Sequence, residues 1–249
     1  MGVLRNELET YLAKLLNAEQ FKDYCPNGLQ VEGQMQIERI VTGVTASQGL
    51  IEAAIAHNAQ AILVHHGYFW KGESPIIKGI KRNRISTLLQ HDINLFAYHL
   101  PLDVHETLGN NVLLAKDMGW QIDGELAGTV GLQGQLAEPT SAGELKTKLA
   151  EKLDFNVLHI GDETRQVKRL AWCTGGAPDY LQQAVDAGVD AFISGEINER
   201  TAHLAQESGV HYFAAGHHAT ERYGVRALGE HVASTFDIDV QFVDLPVPV

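Results

Sequence analysis

The chain has 249 residues, 45% of them hydrophobic, and carries a formal net charge of −12. That length and apolar content supply a sizeable core, in one large domain or two smaller ones, while the acidity argues against a general nucleic-acid coat, which needs a basic face. Its two cysteines, Cys25 and Cys173, are far apart and in no CxxC spacing, which argues against a disulfide framework or a thiolate zinc cage and fits a reducing cytoplasm.

Residues 5–17 begin the pattern as a helix with Leu8, Leu12, Leu15 and Leu16 on one stripe. This first stretch reads as an amphipathic helix with charges throughout and without a signal-peptide h-region, and because no apolar run approaches ~20 residues no membrane span is expected. A loop with the turn signal Pro26-Asn27-Gly28 leads to a short strand. A strand over 40–44 and a helix over 50–57 follow, with Ser47 where an N-cap would sit. The next strand, 61–64, ends in the pair His65-His66 and then Gly67. The pattern continues with a helix over 85–90, a strand over 93–98 ending at His99, and a helix over 111–118. Residues 119–140 hold several glycines and no clear period, the best place for a boundary. Beyond it the spacing predicts helices over 141–153, 180–187, 199–206 and 220–233. Strands are predicted over 156–160, 170–174, 191–194, 210–215 and 240–245. Ser141 and Glu144 are spaced as a capping box.

The second half repeats the first. The segment from Arg39 to His66 lies on that from Arg169 to Glu196 without gaps, an offset of 130, and the apolar positions coincide. Where the first copy has His65-His66, the second has Gly195-Glu196. Strands alternating with helices in this way predict an α/β fold of mostly parallel sheets, with two repeats over 1–125 and 126–249.

Six of the twelve histidines sit in short segments at strand ends. The strand before His99 leads on to Asp103, and the strand before His217 leads on to Glu221: histidine, three residues, carboxylate, with both pairs offset by 118. Parallel strands of an α/β unit bring their C-terminal ends to one edge, where ligands bind. His65, His66, Asp103, His217 and Glu221 can therefore converge on a cleft between the halves, with His99 behind or beside them. Imidazole and carboxylate suit iron, zinc, manganese, cobalt or nickel. Five donors exceed what one ion needs, so two divalent ions sharing a carboxylate are expected. Glu221, longer than Asp103 and leading into a helix, is the expected bridge. His99, His105 and His218 are candidate proton shuttles. A lone histidine beside an apolar strand is more often structural, and His57, His91, His159, His203, His211 and His231 take that reading. The basic stretch Lys71 to Arg84 can attract an anionic substrate or face solvent, and Thr174-Gly175-Gly176-Ala177 is a weak anion cradle.

The segments IVTGVTAS, ILVHHGYFWKG, HLPLD with its following GNN, and AAGHHATE together resemble the YbgI-like dinuclear-metal family, the type two GTP cyclohydrolase homologues or interacting-factor-three-like proteins. The resemblance runs nearly end to end. It implies two intertwined α/β repeats with a metal cleft between them, and a toroidal homohexamer, a trimer of dimers. Carried over by motif, the ligands are His65, His66, Asp103, His217 and Glu221. The function expected is a cytoplasmic, metal-dependent hydrolase of a nucleotide-like small molecule. The alternative is a non-enzymatic, ring-forming interaction or regulatory protein that binds metal.

Overall fold

The computed structural model describes residues 2–249 and has mixed α/β architecture with parallel and antiparallel strands. Contacts divide the chain into two compact units: one runs up to His105 and takes back Gly224–Leu245, and the other holds Glu106–Tyr223 and Pro246–Val249.

The first unit contains strands β1 (Val3–Leu4), β2 (Gly28–Val31), β3 (Gln36–Ile37), β4 (Arg39–Thr45), β5 (Ala61–His66) and β6 (Asn94–Ala97), with helices α1 (Arg5–Leu15), α2 (Gln48–Ala56), α3 (Gly79–Gln90) and α4 (Leu100–Val104). Ser47 caps α2 as its spacing predicts, accepting the Leu50 N–H. Strands β4, β5 and β6 are parallel, and β2 runs antiparallel on the β6 edge. Period-2 alternation turns Ile62, Val64, Leu95 and Ala97 toward one face, where they pack with Leu50, Ile51 and Ala54 of α2 and Leu88 of α3. Each of the buried Leu, Ile and Val side chains among them contributes about 1.5–3 kcal/mol.

The second unit contains α5 (Asn110–Met118), β7 (Gln121–Glu125), β8 (Leu132–Ser141), α6 (Ala142–Leu153), β9 (Leu158–Ile160), β10 (Gln166–Cys173), α7 (Leu181–Asp186), β11 (Ala191–Ser194), α8 (Glu199–Ser208) and β12 (His211–Ala214). Its sheet runs β7-β8-β10-β11-β12-β9, with β10, β11 and β12 parallel. Leu145, Leu149 and Leu153 of α6 cover Trp172, Ile193 and Phe213 on one face. Leu181, Ala184 and Ala205 of α7 and α8 cover Phe192 and Tyr212 on the other. The capping box of Ser141 and Glu144 forms as expected. The chain then enters α9 (His217–Phe236), whose later turns belong to the first unit, and ends its regular structure in β13 (Asp239–Phe242), parallel to β4.

The repeat is visible in the strand registers. In the first unit Ile40 pairs with Ala61 and Ala61 with Asn94; in the second, Leu170 pairs with Ala191 and Ala191 with His211. The gapless offset of 130 therefore holds for β4/β10 and β5/β11. The antiparallel β2 beside β6 has its counterpart in β9 beside β12. The compact units differ from the contiguous segments 1–125 and 126–249 in their ends. Residues 106–125 pack in the second unit, and Gly224–Leu245, with β13, pack in the first.

Three local elements depart from expectation. Residues 119–140, read as irregular, hold the β7–β8 hairpin. Its glycines are structural: a Cβ on Gly134 would run into the Gln121 backbone, and Gly124 and Gly128 have φ of +156° and +74°. Helix α3 starts six residues before the predicted start, since its first turns, exposed and without an apolar stripe, leave no mark in the hydrophobic pattern. The LPLD segment forms the short helix α4, with Pro101 in its first turn, where a missing N–H costs nothing. Among the described residues, no helix is long and apolar enough to cross a membrane.

Candidate metal centre

In the first unit, β5 extends through both His65 and His66. Alternation assigns the two residues to opposite faces, but at the strand end their rings approach to 4.7 Å between centroids. His65 is fully buried, and its Nδ1 lies 3.0 Å from the Tyr98 carbonyl oxygen. A carbonyl only accepts, so Nδ1 carries a proton and Nε2 is the nitrogen that faces the carboxylate, the orientation that a metal ligand needs. That Nε2 lies 3.4 Å from Oδ1 of Asp103, itself 6% exposed on α4. His66 Nδ1 lies 3.1 Å from the Thr45 hydroxyl on the paired strand.

His99 follows β6, and its ring centroid lies 5.0 Å from that of His65 and 5.8 Å from that of His66. The three histidines can each offer a nitrogen within 4.8 Å of the others. His99 is held by a residue of the loop before β2. Its Nδ1 lies 2.7 Å from Oδ1 of Asp23, whose carboxylate also accepts from the N–H of Tyr24 (2.6 Å), the Asn27 amide (2.9 Å) and the N–H of Leu100 (2.9 Å). Asn27 Oδ1 in turn accepts the His99 N–H at 2.8 Å. The DYCPN segment thus grips the start of HLPLD. Burial alone would raise the Asp23 carboxyl, but the hydrogen bonds from His99 and Asn27 and the His99 charge outweigh it and hold its pKa at about 2. Burial and the nearby Asp23 charge push the Cys25 thiol up to about 12. Asp23, Cys25 and His99 also form a possible metal group. With all four bonds to Asp23 in place, that carboxylate is already satisfied and acts as a brace.

In the second unit, His217 opens α9 and Glu221 lies one turn on, with His217 Nε2 3.1 Å from Glu221 Oε2. His217 Nδ1 lies 2.6 Å from Oε1 of Glu196, just beyond β11. Burial would lower the His217 pKa, but the hydrogen bonds and charges of Glu221 and Glu196 reverse it and bring it to about 9. Glu221 is only 2% exposed, and it sits against Gly175, whose φ is +69° and where any Cβ would displace Glu221 Oε1. Glycine there serves both conformation and space. His105 is the C-cap of α4, and His218 is buried in the first turn of α9.

Each unit thus presents imidazole and carboxylate donors, several of them buried, a set that suits borderline divalent ions. One other expectation changes. The Thr174–Ala177 turn is not an open anion cradle: the N–H groups of Thr174, Gly175 and Ala177 are bonded to Asn111, Thr220 and Ser194. Of the basic stretch, Lys81 pairs with Glu73 at 3.0 Å and lies over the Phe69 ring. Tyr68 and Trp70 pack, the former donating to the Ala46 carbonyl and the latter to that of Gly67.

Residues 3–247 match the family model described as Duf34/NIF3 (NGG1p interacting factor 3). The chain is 56% identical over 247 residues to a Yersinia pestis protein named GTP cyclohydrolase 1 type 2 homolog, covering 98% of this chain and 100% of the relative. It is similar to the solved structure of protein ybgI, described as of unknown function, with a TM-score of 0.95 and 49% identity over 99% of this chain and 100% of that one. TTHA1606 from Thermus thermophilus is also similar, with a TM-score of 0.89 and 31% identity over 99% of this chain and 100% of that one.

Proposed function

The chain belongs to the Duf34/NIF3 family, and on that premise we propose that it is a cytoplasmic, metal-dependent hydrolase of a nucleotide-like small molecule. Its ligands for two divalent ions are His65, His66 and Asp103 from the first unit and His217 and Glu221 from the second. The observation that carries the reading is the orientation of buried His65: Tyr98 takes its Nδ1–H, which turns Nε2 toward the Asp103 carboxylate. The substrate class rests on the name that the relatives carry, GTP cyclohydrolase 1 type 2 homolog.

When bound, such ions supply Lewis acidity and an acidified water. The chain's own residues do the rest. Thr45 orients His66, and Glu196 holds His217. Asp23 fixes the His99 ring with Nδ1 toward the carboxylate, so that Nε2 is the nitrogen available to take or give a proton. Trp70 stands edge-on to His99 at 5.0 Å and limits its ring motion. The decisive test is a hydrolysis screen across nucleotides and small phosphate and amide compounds, with iron, zinc, manganese, cobalt and nickel reconstituted in turn. Turnover lost on His65→Ala is expected; inactivity with every metal favours the interaction protein.

For assembly the reading is a homohexamer. The count of six rests on the family resemblance alone; Ile76, Ile77 and Ile80, 61%, 52% and 71% exposed in one stretch, support only that some apolar surface here is covered by a partner. Light scattering after gel filtration is expected to give six chains, and a monomer would remove this part.

A further inference from the structure

We infer that Glu196 is a positioning residue for His217: it holds the Nδ1 proton of that imidazole and so presents Nε2 as the metal-binding atom. The inference rests on the reading of His217 as a ligand and names a residue which that ligand set does not include.

Position 196 is the repeat's counterpart of His66, by the register that pairs β4 with β5 and β10 with β11. The two copies have put different chemistry on one strand end. In the first, the residue is an imidazole. In the second, it is a carboxylate whose Oε1 lies 2.6 Å from His217 Nδ1. The contact is built from several sides. Gly195 lets the α9 start come close, since a Cβ there would stand 2.6 Å from His217 Cα and 2.7 Å from the Gly175 carbonyl oxygen. The Tyr212 hydroxyl donates to the Glu196 carbonyl and fixes its backbone. On its other side the Glu196 carboxylate lies along Gly176, where a Cβ would meet it at 3.4 Å. A carboxylate can only accept from Nδ1–H, so the ring is locked in one tautomer and one orientation, and its other nitrogen becomes more basic. His99, which matches His217 in the motif of histidine, three residues and carboxylate, has its own Nδ1 held by Asp23. Each copy therefore secures this histidine with a carboxylate, taken from a different place in the chain.

The test is zinc affinity of the metal-stripped full chain, measured by competition with a chromophoric chelator. Glu196→Ala is expected to weaken zinc binding about 10–100-fold, the usual effect of losing such a partner. Glu196→Gln, whose amide oxygen still accepts from Nδ1, is expected to recover most of that loss, with the number of bound ions unchanged. Wild-type affinity in Glu196→Ala would overturn the inference. So would equal loss in both variants together with one ion fewer, which would make Glu196 a ligand itself. His217→Ala in the same assay separates the two levels: if it binds zinc normally, the ligand set is wrong. If His217→Ala is weak while Glu196→Ala is normal, only the role of Glu196 fails. Nitrogen-15 NMR of the zinc-loaded wild type gives a second readout independent of any variant: zinc on Nε2 with a protonated Nδ1 is expected, and zinc on Nδ1 overturns the assignment.

Discussion

Replacing Gly175 by alanine probes the second unit's donors without touching one. Its φ of +69° is the left-handed conformation, and the new Cβ would occupy the space of Glu221 Oε1 and come within 3.2 Å of His217 Nε2. Gly119 supplies the control, with a φ of +72° and nothing within 4 Å of its would-be Cβ. Gly119→Ala carries the backbone strain alone, about 1–2 kcal/mol. At roughly 2–4 °C per kcal/mol for a chain of this size, its melting temperature should fall by about 2–8 °C. Gly175→Ala carries the same strain and also expels a buried carboxylate, an overpacking cost of about 1–3 kcal/mol more. Scanning calorimetry of the metal-free proteins measures that difference, and chelator competition measures zinc binding. Gly119→Ala should keep wild-type affinity, while Gly175→Ala should lose at least about tenfold through displacement of Glu221. Equal melting temperatures and equal affinities in the two variants would refute the claim that Gly175 makes room for Glu221.

Two further outcomes follow from the second unit. His159 and His211 lie stacked with Nε2 and Nδ1 3.1 Å apart, and burial depresses both from 6.5, joined by mutual repulsion at His159 and by Arg165 at His211. Because the folded values are lowered, the pair's contribution is intact above pH 6.5 and is lost as pH falls below it, when the unfolded chain takes up protons first. Urea unfolding at pH 7.5 and 5.5 should show a smaller drop in His159→Leu than in the wild type, and identical drops would contradict this. Asn198→Ala, which removes the cap on the Thr201 N–H of α8 at 2.9 Å, should cost about 1 kcal/mol in the same assay; a loss under a few tenths would deny the cap its role.

Much of the scaffold is legible in the chain because strand length, helical stripes and caps are local signals. The gapless match of Arg39–His66 to Arg169–Glu196 even predicts strand register, since equal spacing of buried positions demands equal pairing. The hairpin at 121–141 is hidden because β7 is an exposed edge strand and both strands are interrupted by glycine, which blurs the period-2 alternation. The exchange of ends between the units is hidden for a different reason: it depends on which sheet edge β13 joins, a long-range choice without a local mark. At the site, histidines and carboxylates at matched strand ends stand out by type and spacing. Their braces do not. Asp23 lies 76 residues from His99 in a stretch that reads as a turn, and nothing in its spacing points there. Glu196 had a signal, its place in the repeat opposite His66, but sequence identity alone could not say that it faces His217.

The metal-dependent reading stands on two divalent ions held by five named residues. Elemental analysis of the purified chain, reconstituted with zinc and desalted, tests it most directly beside His65→Ala, His66→Ala, Asp103→Ala, His217→Ala and Glu221→Gln. Two ions per chain are expected in the wild type and fewer in every variant, with Glu221→Gln, the expected bridge, losing most. One ion or none in the wild type, or two ions retained in Glu221→Gln, would contradict it.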